Sequence, residues 1–478
     1  MDDDAGVSED LRDRMTQYGA GSGSGTLIVE PREAYVGDDV VLRGRNLEPE
    51  TDHDLLWQTS EGEWSVLAAH EVVGPRYRPR TVSIATVTTD ASGSFDHEWT
   101  VPEDFGGGHR IELERAETTA ATAEVTIVPH FEIGRTTVPM GETIAVRGYG
   151  LSTSVDRSNF QIAWDQGYTG LLTGVRRRGT ATARVRAAGP PGEHVVQVWR
   201  NYNGVPYVTN NTQSPMGPVA AGRQSKWVVE VTEPETPPET VWVEETSAEE
   251  PIPAHYPDLD GDTPASLSVS PTSGAAGTQI VIRGTDFPAD EKVDLRWYQH
   301  VGEGIRGVTV EPKPRPDVLP TVQTDANGSF LLETEVPVAE GSTRPIVAAV
   351  DGREVAVTGF MVQPDVERFE PVRGPVGTTM TIELSGIGWT NYESTPTFVY
   401  DNHYLGYGCG MTEDYRSTTV RTELDMAGQP GWHFVDVYPS LFRTEDDEPR
   451  LEMFPHLSTE NHPVRQLPVM HLAFEITE

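Results

Sequence analysis

A chain of 478 residues exceeds what one hydrophobic core supports, so several domains are expected. A net charge of −38 with only three lysines (Lys226, Lys292, Lys313) speaks against nucleic acid and against membrane surfaces, because both recruit clustered cations. No apolar run approaches the ~20 residues of a membrane helix, so membrane insertion is not expected. The 46 glycines and 37 prolines are spread through the length, as in all-β proteins built of short strands. The dense carboxylates suit a halophilic protein, which stays hydrated where salt screens charge; an acidic extracellular surface on an Arg-biased chain is the other reading. The single cysteine, Cys409, permits no intrachain disulfide.

In chain order, residues 1–25 are acidic and Gly/Ser-rich and read as a flexible terminus. They lack the basic and apolar regions of a secretory signal. That leaves a mature form or a product that bypasses that pathway, as a virion protein would. Module A (26–128) begins with "VEPREAYVGDDVVLRGRNL", where alternation puts Val40 and Leu42 on one face of a strand and Val41 and Arg43 on the other. Its "DASG" reads as a hairpin turn with Gly93 at positive φ. Module B (129–232) carries "VPMGETIAVRGYGLS", "WDQGYTGLLTG" and "AGPPGEHVVQVW", and closes with "WVVEVTE". A linker (233–265) follows, in which proline and glutamate favour a semi-stiff extended spacer; its "TVWVEE" has the character of a docking edge strand.

Beyond the linker both modules recur. Module A′ (266–364) has "VSPTSGAAGTQIVIRGTDF", "DLRW" and "TDANGSF" where module A has "VEPREAYVGDDVVLRGRNL", "DLLW" and "TDASGSF". Module B′ (365–478) has "GPVGTTMTIELSGIGW", "YDNHYLGYGCG", "AGQPGWHFVDVY" and a closing "LAFEITE". The expected fold class is all-β, with tandem immunoglobulin-like β-sandwiches in the order A–B–A′–B′ and no capped amphipathic helix.

The A modules resemble the IPT/TIG-like immunoglobulin-like repeats of bacterial and archaeal surface proteins. The motifs that carry this are "SVSPTSGAAGTQIVIRGTDFPADEKVDLRW" and "TDANGSFLLETEVP". Module A departs at "PREAYVGDD", and the B modules look like diverged relatives that share the "P-G-x-H-x-V-x-V" strand. The resemblance implies extracellular structural or adhesive use.

Several residues invite a chemical reading. Cys409, His403 and Asp401 have the types of a nucleophilic triad. In the sister module, however, the positions of His403 and Cys409 hold Gly167 and Thr173, so a structural turn is the stronger expectation. His194 and His433 recur, which points to packing or hydrogen bonding at a strand start. Asp258, Asp260 and Asp262 alternate around a glycine and suit Ca²⁺, without the later bidentate glutamate of a complete loop. For stacking on glycans or anchoring a partner, the aromatic candidates are Trp389, Trp432, Tyr404, Tyr407, Tyr168 and Tyr207, with the two tryptophans expected in loops. The long segments Asn203 to Ser225 and Ser440 to Met470 are expected contact regions. "NNT" and "NGS" are glycosylation sequons.

The resulting expectation is a non-catalytic extracellular protein, a spacer and docking rod within a cell-surface assembly, homo-oligomers included. A virion structural protein and a carbohydrate-binding array are the alternatives.

Overall fold

The computed structural model describes residues 25–67, 71–153, 160–202, 205–206, 223–246, 256–301, 311–315, 318–388, 393–410, 419–442, 453–463 and 465–478. They are all-β; one 3₁₀ turn, Thr459–Asn461, is the helical element among them. Among the described residues each module has a three-stranded sheet and a larger one, four apolar cores lie between these pairs, and a ninth, two-stranded sheet joins Ser440–Phe442 to Met453–Pro455. This is a tandem array of β-sandwiches.

Module A pairs Thr26–Glu30, Asp39–Arg45 and Phe95–Thr100 in the smaller sheet. Its larger sheet runs Glu33–Ala34, Thr118–Ile127, Gly107–Arg115, Asp52–Leu67 and Glu71–Thr88. Val40 and Leu42 are buried while Val41 and Arg43 are half-buried, as the alternation predicts. The "DASG" and "DANG" turns do place Gly93 and Gly328 at φ 72° and 73°. They are not hairpins, however. Each carries the chain from the larger sheet to the smaller one, and the Asp90 carboxylate holds the turn by accepting from the amides of Ser92 and Ser94. A side chain on Gly93 would strike the carbonyl of Leu47, so the corner needs glycine for space as well as for φ.

In module B the smaller sheet is Ala181–Arg186, Thr143–Tyr149 and His130–Ile133. The larger runs Thr137–Pro139, Arg223–Thr232, Gly192–Tyr202, Phe160–Trp164 and Gly167–Leu172. Module B′ repeats this with Asp365–Glu370, Thr379–Ser385 and Val420–Asp425 against Met470–Thr477, Gly431–Tyr438, Thr397–Tyr400 and His403–Tyr407.

Two features depart from a string of beads. The linker contributes a strand, Val241–Val243, that pairs antiparallel with Met470–Thr477 at the edge of the larger B′ sheet. Its other described end lies along module A′, where the Asp260 carboxylate accepts the Glu354 amide and the Asp260 carbonyl accepts Arg353. The described parts of the linker are therefore docked, not a free spacer: "TVWV" has the β-branched and aromatic content of an edge strand, and an unpaired sheet edge was there to receive it. Modules B and B′, separated in the sequence by module A′, also pack directly on one another. The linear rod expected from module order is replaced by a chain that folds back on itself.

Candidate functional site

Where B meets B′, unlike surfaces join. One side of module B is left open, because Gly167–Leu172 ends its larger sheet and Ala181–Arg186 ends its smaller one. The outer face of the larger B′ sheet closes that side. Strand alternation divides the B′ residues between two cores. Val435, Val437, Leu472 and Phe474 point into the core of B′, whereas Phe434, Tyr438, Ala473 and Val399 join the core of B. A sheet buried on both faces needs near-continuous apolar strands, as "FVDVY" provides.

Burying two strand edges removes water from backbone groups that have no ladder partner, so those groups need replacements. Side chains of B′ supply them along Ala181–Arg186. The Thr182 amide donates to Glu460 Oε1 (2.6 Å). The carbonyls of Thr180, Arg184 and Arg186 accept from Asn461 Nδ2 (3.0 Å), the Tyr438 hydroxyl (2.9 Å) and Asn402 Nδ2 (2.7 Å). Along the other edge, the Leu457 amide donates to the Leu171 carbonyl (2.9 Å) and the Thr173 amide to Ser458 Oγ (2.9 Å).

At the centre lies a buried ionic cluster that spans both modules and the linker. Arg186 Nε donates to Asp436 Oδ1 (3.1 Å), with both side chains 1% exposed. His471 Nδ1 approaches the same oxygen (2.6 Å), and its Nε2 faces Glu244 Oε1 of the linker (3.3 Å). The Trp242 ring stacks on His471 (3.9 Å between centroids), and the Arg186 guanidinium lies over Phe434 (4.9 Å) and Trp242 (5.8 Å). Burial would raise the Asp436 carboxyl pKa, but the charges of Arg186 and His471 outweigh it and hold it below the usual carboxylate range. Burial would lower the His471 pKa, yet Asp436 and Glu244 together raise it. The cluster ties three parts of the chain together: Arg186 comes from B, Asp436 and His471 from B′ and Glu244 from the linker, and removing one of them leaves buried charge with less compensation.

A neutral polar group lies nearby. Thr173 Oγ1 (2.8 Å) and Ser458 Oγ (3.2 Å) both meet His456 Nε2. His456 and Ser458 are fully buried, and burial pushes the imidazole pKa down to about 3. This histidine is a neutral hydrogen-bonding partner in packed surroundings.

The triad residues do not converge. Asp401 Oδ2 binds His433 Nδ1 (2.6 Å), not His403, while His403 Nδ1 contacts the Asp401 carbonyl (2.7 Å), and Cys409 is exposed beyond the strand. Residues close in sequence on a turn and an adjoining strand point in different directions. Module B repeats the Asp401–His433 arrangement as Asp165 Oδ2 with His194 Nδ1 (2.6 Å). In both modules the aspartate begins a tight hairpin turn with two positive φ values, 47° and 71° at Asp165 and Gln166, 43° and 63° at Asp401 and Asn402.

The aromatic candidates separate by place. Tyr168 and Tyr404 meet edge to face (6.1 Å between centroids) within the B–B′ contact, and the Tyr168 hydroxyl is buried without a hydrogen-bond partner. Burial raises the Tyr404 pKa to about 12. Trp432 is not a loop residue: the strand Gly431–Tyr438 starts directly after the Pro-Gly turn, and the ring packs half-buried against the core of B. Tyr407 is exposed at the end of the edge strand His403–Tyr407. Trp389 and Tyr207 lie outside the described residues, as does most of the Asn203 to Ser225 segment. The described part of the Ser440 to Met470 segment supplies His456, Leu457, Ser458, Glu460 and Asn461 to the junction, so its contact is internal. Asp258, Asp260 and Asp262 are exposed beside module A′; among the described residues no group of three or more His, Cys, Asp or Glu side chains is arranged to hold a metal ion.

Sequence reasoning missed Arg186, Asp436, His471 and Glu244. The available signal was a charged residue inside otherwise apolar strands, Asp436 in "FVDVY" and His471 in "VMHLAF".

No family model matches the chain, and no curated protein matches it. Among solved structures, it is similar to a trypsin-activated alpha-2-macroglobulin from Escherichia coli, at 9% identity and a TM-score of 0.17. That match covers 96% of this chain and 42% of the other, so the chain spans about two-fifths of that protein's length. No helix among the described residues is long and apolar enough to cross a membrane.

Proposed function

We propose that this protein is a non-catalytic structural component of an extracellular or cell-surface assembly, in which tandem β-sandwiches act as one stiff docking unit. The observation that carries the reading is the B–B′ junction, where Arg186, Asp436, His471 and the linker residue Glu244 tie distant parts of the chain together. A chain that commits this much buried charge to internal register is built for fixed geometry, the property a structural or docking element needs. The exposed, highly acidic remainder keeps such a unit hydrated at high salt.

The reading is tested by locating the chain. Antibody labelling of intact cells and fractionation of envelopes and released particles should place it at the cell exterior. Recovery with purified virus particles would replace the cell-surface setting with a virion one, and recovery only from the cytosol would overturn both. Glycan binding has less support, because Tyr168 and Tyr404 are engaged within the chain and Trp432 packs on a core.

A further inference from the structure

The corner turns of modules A and A′ differ at one position. They read "TDASGSF" and "TDANGSF", so Ser92 of module A stands where module A′ has Asn327. Both corners are held in the same way. Asp90 Oδ1 accepts the amides of Ser92 (2.8 Å) and Ser94 (3.0 Å), and Asp325 Oδ1 accepts those of Asn327 (2.8 Å) and Ser329 (2.9 Å). Both glycines take the same positive φ. The backbone of the corner therefore forms equally well with serine as with asparagine.

The side chains at that position behave differently. The Ser92 hydroxyl donates to Asp90 Oδ1 at 2.6 Å and so braces its own turn. The Asn327 carboxamide and the Ser329 hydroxyl have no hydrogen-bond partner among the described residues. Asn327 also lies outside the left-handed region, so no backbone strain selects asparagine there. It is exposed, and Ser329 is half-buried beside it. Asn327, Gly328 and Ser329 form an Asn-x-Ser acceptor for N-linked glycosylation, in which the carboxamide takes the sugar and the hydroxyl two residues on is needed for recognition. The turn thus presents both groups unengaged, at a corner where a bulky hydrated sugar displaces no packed side chain. The strand Phe330–Glu335 separates this corner from the A′–B′ joint at Gly341, so a glycan stands clear of that joint.

We propose that Asn327 carries an N-linked glycan, transferred from a lipid-phosphate-linked oligosaccharide by a membrane-bound glycosyltransferase. In the transfer Asn327 Nδ2 bonds to the anomeric carbon of the sugar. The bond from that carbon to the phosphate oxygen breaks, the lipid phosphate leaves with the electron pair, and the carboxamide gives up one proton to a base of the transferase. The inference rests on the extracellular reading, because acceptor sequences of this kind are used on exported chains.

The test isolates the chain from the cells that produce it and reads the peptide containing Asn327 by mass spectrometry. That peptide should carry sugar. Asn327→Gln should lose it, and so should Ser329→Ala, which keeps the asparagine but breaks the acceptor; Ser329→Thr should retain it. Ser92→Asn rebuilds the acceptor on the matching corner of module A and should add a second glycan there. A carboxamide hydrolysed to the acid in place of a sugar, or a glycan that survives Ser329→Ala, would overturn the proposal. A bare Asn327 on protein recovered from the cell exterior would overturn it alone and leave the reading of location standing. A bare Asn327 on protein confined to the cytosol would overturn both.

Discussion

Asp401 uses its two oxygens for two tasks: Oδ2 binds His433, and Oδ1 accepts the Phe434 amide at 2.9 Å. The other nitrogen of His433 faces the Gln429 carbonyl at 2.8 Å, which can only accept. Both ring nitrogens thus face acceptors, which favours the doubly protonated ring. Burial alone would lower the pKa of His433, but the bond to Asp401, its charge and the Gln429 carbonyl raise it above the ordinary value. A folded-state pKa above the unfolded one gives stability that is fully present below the unfolded value of about 6.5 and is lost as pH rises through the folded value. An NMR titration should therefore find His433 titrating above a free histidine, and unfolding free energy should fall over that range; a His433→Gln variant should lack this slope. Asp401→Ala strands an amide and a ring nitrogen and should cost about 1–3 kcal/mol in denaturant melts. The recurrence of the histidines was legible in sequence as a hydrogen-bonding role. Their partner was not, because Asp401 stands 32 residues before His433 and sequence adjacency pointed instead to His403.

The linker strand shows how far element-level reading reaches. Its β-branched and aromatic residues marked Val241–Val243 as a strand, yet nothing in it named Met470–Thr477 as the partner, since any open edge satisfies the same backbone. What selects the edge is the outward face of Trp242, which finds His471 and the Arg186 guanidinium, and Glu244, which completes the charge on His471. Trp242→Ala removes a stacked ring worth about 0.5–1.5 kcal/mol beyond the area it buries. It should loosen the strand before it loosens the sheet beneath. Hydrogen exchange would read this at the Glu244 and Ala473 amides, which donate to the Val469 and Thr240 carbonyls across the pairing. Both should exchange faster in the variant, while the Leu42 amide in module A should be unchanged. Equal acceleration throughout the chain would mean that the strand is no separate element.

At the scale of the molecule, module order in sequence carries no information on which modules touch, and the B–B′ contact was illegible for that reason. Its physical trace was a pair of B′ strands too apolar for a sheet with one solvated face. Neighbouring modules are also joined: the Gly106 amide of A donates to the Leu151 carbonyl of B (3.1 Å), and Gly341 of A′ repeats this with Ile387 of B′ (2.9 Å). Near the second joint, buried ion pairs Arg344–Glu340 and Arg465–Glu393 add charge on each side. The B–B′ contact differs in kind, because Phe434, Tyr438 and Ala473 belong to the core of B; unfolding either module uncovers the other. B and B′ should therefore unfold as one cooperative unit. Arg186→Met tests this, since it leaves Asp436 buried with only part of its compensation, a loss of about 3–5 kcal/mol. If the two sandwiches are one unit, hydrogen exchange should accelerate in parallel at Val196 in the centre of B and at Val437 in the centre of B′, on opposite sides of the junction. Acceleration confined to B would show that the sandwiches unfold separately, and the junction would then be a contact between independent domains.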